Sequence, residues 1–362
     1  MTVLVTCPEL EKPGGVANYY QVLRRHFPSD MDYFIVGARQ NEVGRLKRVL
    51  RFCRDNLSFA MRLKRGRCDL VHLNPSLGPN ALIRDGLLLL IAKGFGKKVI
   101  IFMRGWDVDC EQLIWNQFLW LFRLVYFRAD AFIVLAAEFK AKLLKMGYHK
   151  AIYTETTIVN DDVFEIISEP QRQRAVTGIK TNFHILFLSR IEKKKGIYEA
   201  IEAYRILKRK YENITMTVAG DGPEYGCVME YIAKRKIEDI EFCGHVQAEA
   251  KHKQYLKADV YVFPTFFGEG MPNSVLEAMA YGLPVITRPV GGMRDFFVNG
   301  KMGFITESRD AETFAELIER LITDTDERER MGSYNHQYAK ENFAASIVAG
   351  RLEQIYRKVL AA

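Results

Sequence analysis

The sequence predicts an α/β protein of two doubly wound domains, each a parallel sheet with helices on both faces. Three observations lead there. The chain has 362 residues, too many for one ordinary core and suited to two domains of roughly 150 to 200 residues each. Each half alternates short β-rich apolar runs with helical patterns, as right-handed strand–helix–strand units do. Between the halves, from about Ile158 to Pro170, the pattern lapses into a polar, acidic stretch, where we place the linker. The expected domains are residues 1–165 and 166–344, facing each other across a cleft. A last helical pattern, from about Asn335 to Leu360, is expected to pack its end (about 345–362) back on the first domain.

In the first half the expected strands are Val3 to Cys7, Tyr33 to Val36, Leu70 to Leu73, Val99 to Met103 and Ala131 to Leu135. In the second they are Ile185 to Ser189, Thr215 to Ala219, Ile240 to Cys243, Val260 to Pro264 and Val285 to Thr287. All are short and rich in β-branched and aromatic residues. Parallel sheets of this kind bind ligands beyond the carboxyl ends of their strands. The loops after the strands are therefore where functional residues belong.

Composition narrows the class. With 48% apolar and 27% charged residues and no low-complexity tract, the chain can fill two large cores. The start, MTVLVTCPEL, reads as a first strand and lacks the basic, apolar and small-residue regions of a signal peptide. The apolar runs Leu87 to Ala92 and Trp120 to Phe127 fall well short of the roughly 20 residues a membrane span needs. Six cysteines, at 7, 53, 68, 110, 227 and 243, form no C-x-x-C pair, which argues against zinc and a disulfide framework. A cytoplasmic location is expected, with no nucleic-acid partner.

The formal charge is +8, and it is concentrated. From Arg39 to Arg67 ten Lys or Arg face only Glu42 and Asp55, interleaved with Leu46, Val49, Leu50, Phe52, Leu57, Phe59, Met61 and Leu63. Such a stretch suits an anionic bilayer or a polyanionic substrate, and equally a solvated helix face. Lys97, Lys98 and the aromatic run Trp115, Phe118, Trp120, Phe122, Tyr126 and Phe127 lie in the same half.

Four strand-end segments carry candidate chemistry. After Val260 to Pro264 come a small, turn-prone loop, Gly268 to Pro272, and a helical pattern, Asn273 to Ala280. The free N–H groups and positive dipole end of that helix can hold a phosphate. Glu277 inside the helix can accept hydrogen bonds from a ribose diol, and Glu269 ahead of it can contact a sugar ring. After Ile185 to Ser189 come Arg190 and Lys195, two cations able to neutralise a diphosphate. Gly14 and Gly15 follow the first strand, where backbone can approach a ligand closely.

Together these segments resemble the family 4 retaining glycosyltransferases with the GT-B fold, two Rossmann-like domains around a nucleotide-sugar cleft. Gly14-Gly15 is similar to that family's N-terminal glycine loop, Arg190 and Lys195 to its R-x-x-x-x-K pair, and Ala219 to Glu224 to its A-G-x-G-P signature. Glu269 through Glu277 is similar to its E-x7-E motif. The resemblance implies that Glu269 contacts the donor sugar, assisted catalytically by Arg190 and Lys195. It implies donor contacts from Gly270, Met271, Pro272, Asn273 and Ser274, ribose binding by Glu277, and base binding at Phe242, Cys243 and Gly244. One position departs: where many members carry H-G-x-D, this chain reads Met103-Arg104-Gly105-Trp106-Asp107. An arginine cannot act as a base, so Arg104 and Asp107 become candidate acceptor or phosphate contacts, or a structural ion pair.

The implied activity is retaining transfer from a nucleoside diphosphate sugar, by family frequency a UDP-sugar, to a glycan or lipid-linked glycan in polysaccharide or glycoconjugate assembly. No cofactor and no metal are expected. Peripheral contact with an anionic membrane is an expectation from the basic stretch. A non-catalytic nucleotide- or glycan-binding scaffold and a sugar-nucleotide epimerase of the same fold are the alternatives. Two D-x-D triplets, Asp107-Val-Asp109 and Asp324-Thr-Asp326, lie away from the donor motifs and are set aside as metal signatures.

Overall fold

The computed structural model describes residues 1–11, 14–27, 30–37, 39, 44–166, 182–268 and 270–362. The chain divides into two compact units. The first comprises Met1–Ile158, Gly268–Met271 and Ala345–Ala362, and the second Val159–Phe267 and Pro272–Ala344.

The first unit is built on β1 (Thr2–Cys7), β2 (Asp30–Ile35), β3 (Leu70–Leu73), β4 (Lys98–Met103), β5 (Ala131–Val134) and β6 (Ala151–Thr154). They pair in the order β2-β1-β3-β4-β5-β6, every pairing parallel. Helices α1 (Gly15–Leu23), α2 (Arg45–Arg65), α3 (Pro79–Gly94), α4 (Val108–Leu113), α5 (Leu119–Tyr126) and α6 (Ala137–Lys145) make the crossovers. The continuous apolar runs follow from burial on both sheet faces: Val99 through Met103 and Ala131 through Val134 are wholly inaccessible, as central parallel strands are.

The second unit repeats the plan. After α7 (Asp162–Ile166) come β7 (Phe183–Leu188), α8 (Ile197–Lys208), β8 (Ile214–Ala219), α9 (Tyr225–Arg235), β9 (Ile240–Gly244) and α10 (Ala248–Lys257). Then follow β10 (Val260–Phe263), α11 (Asn273–Ala280), β11 (Val285–Thr287), α12 (Met293–Phe296), β12 (Gly303–Ile305), α13 (Ala311–Thr323) and α14 (Thr325–Phe343). Its sheet runs β12-β11-β10-β7-β8-β9, again all parallel. The last helix, α15 (Ala345–Ala361), belongs to the first unit.

The differences from expectation lie at the edges. β2 starts three residues earlier than Tyr33, and its Asp30 and Asp32 are tolerated because an edge strand is only half covered. Two strands have no counterpart in the sequence reading, β6 and β12. Each is an outermost strand of three or four residues and needs little apolar sequence. The single closing helix expected from about Asn335 is two helices, broken at Ala344 in extended backbone. There the chain leaves the second unit, and Ala344 forms a parallel bridge with Val159.

α15 is locked into the first unit by polar contacts as well as apolar ones. Arg351 forks onto the buried Glu155 carboxylate, Nε and Nη2 each 2.9 Å from one of its oxygens. The Tyr356 hydroxyl lies 2.5 Å from Nδ1 of His72, a histidine with no exposure at all. A bidentate pair of this kind is far stronger than an exposed one.

Candidate active site

In an open parallel sheet a crevice forms where the chain reverses its direction of strand addition. In the second unit that point lies between β7 and β10. The β7 end leads into Ser189-Arg190 and a single 3-10 turn, Lys193–Lys195. The β10 end leads into Pro264 and Thr265. The two ends are tied together: Phe266 N–H donates to the Lys194 carbonyl at 2.9 Å, and the wholly buried Thr265 hydroxyl donates to the same carbonyl at 3.3 Å.

This places both predicted cations at the switch point in different states. Lys195 is buried, with its ammonium 4.3 Å from the centre of the Phe267 ring and 5.9 Å from that of Phe263. Arg190 is largely exposed and pairs with Glu192 at 2.9 Å. The lysine is a fixed charge, whereas the arginine can trade its surface carboxylate for a ligand.

The A-G-x-G-P segment serves to let backbone meet backbone. Gly220 sits at φ +151°, and a Cβ there would stand 1.9 Å from the Ser189 carbonyl oxygen. At Gly222 a Cβ would stand 2.3 Å from the Ile191 carbonyl oxygen. Only glycine fits such contacts. The loop carrying Arg190 is thus seated directly on the loop after β8. Next to it the β8–β9 register slips between Val218 and Ala219, so that Ala219 faces Gly244 and Cys243 is left over. Gly220 N–H donates to the Gly244 carbonyl at 2.7 Å. The predicted base-binding residues Phe242, Cys243 and Gly244 therefore form an irregular, half-buried strand end. Such irregularities re-aim side chains.

The predicted phosphate-binding helix is α11. Its N-cap position is Pro272, and no side chain caps it. The first-turn amides of Asn273 and Ser274 are among those a helix leaves without internal partners. The Asn273 side-chain oxygen is buried without a hydrogen-bond partner. Glu277, one turn on, is anchored: Lys251 Nζ donates to one carboxylate oxygen at 2.7 Å and the Tyr255 hydroxyl to the other at 3.0 Å. A carboxylate offers about four acceptor sites, so two remain for a diol. Burial, with the Glu277 charge adding to it, raises the Tyr255 phenol well above its ordinary range and keeps it a donor. Lys251 and Tyr255, one turn apart on α10, had no distinguishing signal in the sequence. Glu269 lies outside the described residues.

In the first unit the order reverses between β1 and β3. Gly14 follows β1 in extended backbone, φ 162°, with open space where a side chain would stand, and Gly15 opens α1. Arg104 follows β4. Its guanidinium carbon lies 3.6 Å from the centre of the Tyr19 ring and 4.2 Å from that of Phe102. Its Nε donates to the Asn74 side-chain oxygen at 3.3 Å. The structural Arg104–Asp107 pair considered as an alternative is not formed. Asp107 instead caps α4, accepting from Cys110 N–H at 2.7 Å. The other triplet begins the same way, with Asp324 accepting from Glu327 N–H at 2.8 Å. Both D-x-D triplets are helix starts. Gly270 belongs to this unit too: a Cβ there would stand 1.9 Å from the Arg104 carbonyl oxygen.

The basic stretch forms α2, with Lys and Arg along its length and Asp55 as its single acid. Phe59 and Leu63 are buried against the first unit. On the opposite side Leu46, Leu50, Leu57 and Met61 are exposed, the first three by 61 to 72%. Asp55 is matched by Arg39 at 3.5 Å and Arg51 at 3.4 Å. Of the aromatic run, Phe122 and Tyr126 are buried and stacked, while Trp120 and Phe118 are exposed. No described helix is long and apolar enough to cross a membrane.

Comparison with known proteins converges on one family. The family model described as Glycosyl transferases group 1 matches residues 170–338. The chain is 32% identical over 228 residues to the capsular polysaccharide biosynthesis glycosyltransferase CapM of Staphylococcus aureus, covering 62% of this chain and 57% of that protein. It is 24% identical over 265 residues to the putative colanic acid biosynthesis glycosyltransferase WcaL of Escherichia coli, covering 71% and 62%. These matches span little more than half the length of the curated relatives. Among solved structures, Anabaena Alr3699/HepE in complex with UDP and glucose superposes with a TM-score of 0.74 at 17% identity, covering 98% of this chain and 99% of that one. That likeness is one of fold.

Proposed function

Residues 170–338 match the glycosyl transferases group 1 family and the chain carries the GT-B fold, and from that premise we propose that it is a member of that family that transfers a sugar from a UDP-sugar to an acceptor hydroxyl. One observation carries the reading: Lys195, Arg190 and the uncapped start of α11 follow the two strands, β7 and β10, that flank the switch point of the second unit. A UDP donor is favoured by the relative of like fold whose structure holds UDP and glucose. The bond from the sugar's anomeric carbon to the β-phosphate oxygen breaks, and a bond to the acceptor oxygen forms on the same face. The acceptor's proton passes to the departing phosphate, and UDP leaves. Lys195, Arg190 and the amides of residues 270–274 stabilise the charge that develops on the diphosphate, so this reading calls for no divalent cation. Glu277 holds the ribose, Phe242 to Gly244 the base, and Glu269 supports the positive charge growing on the sugar.

The acceptor is a glycan or lipid-linked glycan of polysaccharide assembly, as the names of the relatives suggest. The outward stripe of α2 supports a peripheral membrane location: apolar residues bordered by cations suit an anionic leaflet. Co-sedimentation with anionic vesicles at low salt, lost in Leu50→Glu/Leu57→Glu, checks that point.

The activity test is release of UDP from a panel of UDP-sugars by the full chain, with and without oligosaccharide acceptors. Slow donor hydrolysis is expected, falling at least about 100-fold in Arg190→Ala and Glu269→Ala. Nucleotide binding with no turnover across the panel would favour the scaffold, and donor interconversion without acceptor the epimerase.

A further inference from the structure

Arg104, at the end of β4, is a cation with no anionic partner among the described residues. Its Nη2 is buried and makes no hydrogen bond, and no carboxylate among the described residues pairs with it. Two acids of the same unit are engaged elsewhere: Asp107 caps α4, and Glu155 takes both prongs of the Arg351 fork. What surrounds the guanidinium is neutral, namely the rings of Tyr19, Tyr20 and Phe102, the Asn74 side chain, and His72. Burial and the Arg104 charge hold His72 down at about 3, so it stays uncharged. Aromatic faces attract a cation but leave its charge unneutralised. A desolvated charge without a counter-charge costs free energy. Arg104 as a whole residue is nonetheless only partly buried.

The placement is specific. Arg104 follows β4, beside the β1 and β3 ends where the strand order reverses, and its carbonyl oxygen packs on the backbone of Gly270. The Tyr19 and Phe102 rings lie 3.6 and 4.2 Å from the guanidinium carbon and Asn74 takes Nε, which leaves the Nη donors of a planar group suited to a carboxylate or phosphate.

We propose that Arg104 is a recognition residue for an acidic group carried by a sugar, a carboxylate or a phosphate ester, separate from the donor diphosphate. This rests on the glycosyltransferase reading and adds a substrate class to it. Two sources of the group are open to the site: the transferred sugar, as in a uronosyl donor, or the acceptor.

Calorimetric titration of the full chain separates them. UDP, UDP-glucose and UDP-glucuronate are titrated into wild type, Arg104→Gln and Arg104→Lys, and glucuronate and glucose 6-phosphate into the UDP-saturated proteins. If the donor bears the acid, UDP-glucuronate binds at least about tenfold tighter than UDP-glucose, and Arg104→Gln erases the difference while leaving UDP affinity within about twofold. If the acceptor bears it, the two donors bind alike, and glucuronate or glucose 6-phosphate binds in wild type and is lost in Arg104→Gln. Partial rescue by Arg104→Lys marks charge as the cause, because lysine keeps the charge and loses the fork. The proposal is overturned if Arg104→Gln leaves every affinity unchanged, if it weakens UDP as much as UDP-glucuronate, or if it only lowers the melting temperature. Failure of wild type to bind UDP at all would instead count against the glycosyltransferase reading.

Discussion

In both units the chain reverses its strand order once, between β1 and β3 in the first and between β7 and β10 in the second, yet the two reversals are furnished differently. In the second unit the ligand end is made of backbone. Glycines let the Arg190 loop, the Gly220 loop and the β10 end touch main chain to main chain, and α11 offers uncapped amides. In the first unit the ligand end is made of side chains: Tyr19, Tyr20, His72, Phe102 and Asn74 hold one arginine in place. Backbone recognises what a class of ligands shares, whereas a single held charge selects among its members.

The largest expected effect breaks the backbone side of the comparison. Gly220→Val places a side chain where the Ser189 carbonyl stands and should cost at least about 3 kcal/mol, read as a lowered urea midpoint. Gly14→Ser, in extended backbone with open space around it, should leave stability within about 0.5 kcal/mol. Equal losses in the two would deny the difference.

Next is the buried cation of the second unit. Lys195→Ala should lower UDP-sugar turnover by about 100-fold, about 2.7 kcal/mol of lost charge stabilisation, with steady-state kinetics as the check.

A pH titration sharpens the side-chain half. Burial and the Arg104 charge hold folded His72 at about 3, against an ordinary 6.5, so between those values the unfolded chain takes up a proton that the folded one refuses. Stability is therefore full above pH 6.5 and declines as pH falls toward 3, by at most about 1.4 kcal/mol per unit. Unfolding free energies from urea titration at pH 7.5 and 5 should differ by about 2 kcal/mol more in wild type than in His72→Gln. The smallest effect concerns a cap: Asp324→Ala removes the bond from Glu327 N–H and should cost about 1 kcal/mol by thermal melting.

The same contrast explains what was legible in the sequence. Eight central strands were readable because burial on both faces demands uninterrupted apolar runs; of the four edge strands, β2 and β9 still carry short apolar runs, whereas β6 and β12 do not. Arg190, Lys195, Gly220 and Glu277 could be singled out as candidates because loop and helix geometry fixes their spacing along the chain. The partners of Glu277, Lys251 and Tyr255, come from a separate helix. The rings around Arg104 come from α1 and β4, with Asn74 from beyond β3. No spacing rule joins residues so far apart in sequence. The D-x-D triplets mislead in the other direction, since an aspartate two residues before another is also how a helix start is capped.

Amide hydrogen exchange of the full chain with and without UDP tests the central claim most directly, because it reads the backbone that is proposed to bind. Protection by UDP is predicted in residues 189–196, 219–224, 242–244 and 270–277, with the α2 segment 45–65 unchanged. Saturating UDP that leaves those four segments exchanging as before, or that protects a different set, would contradict it.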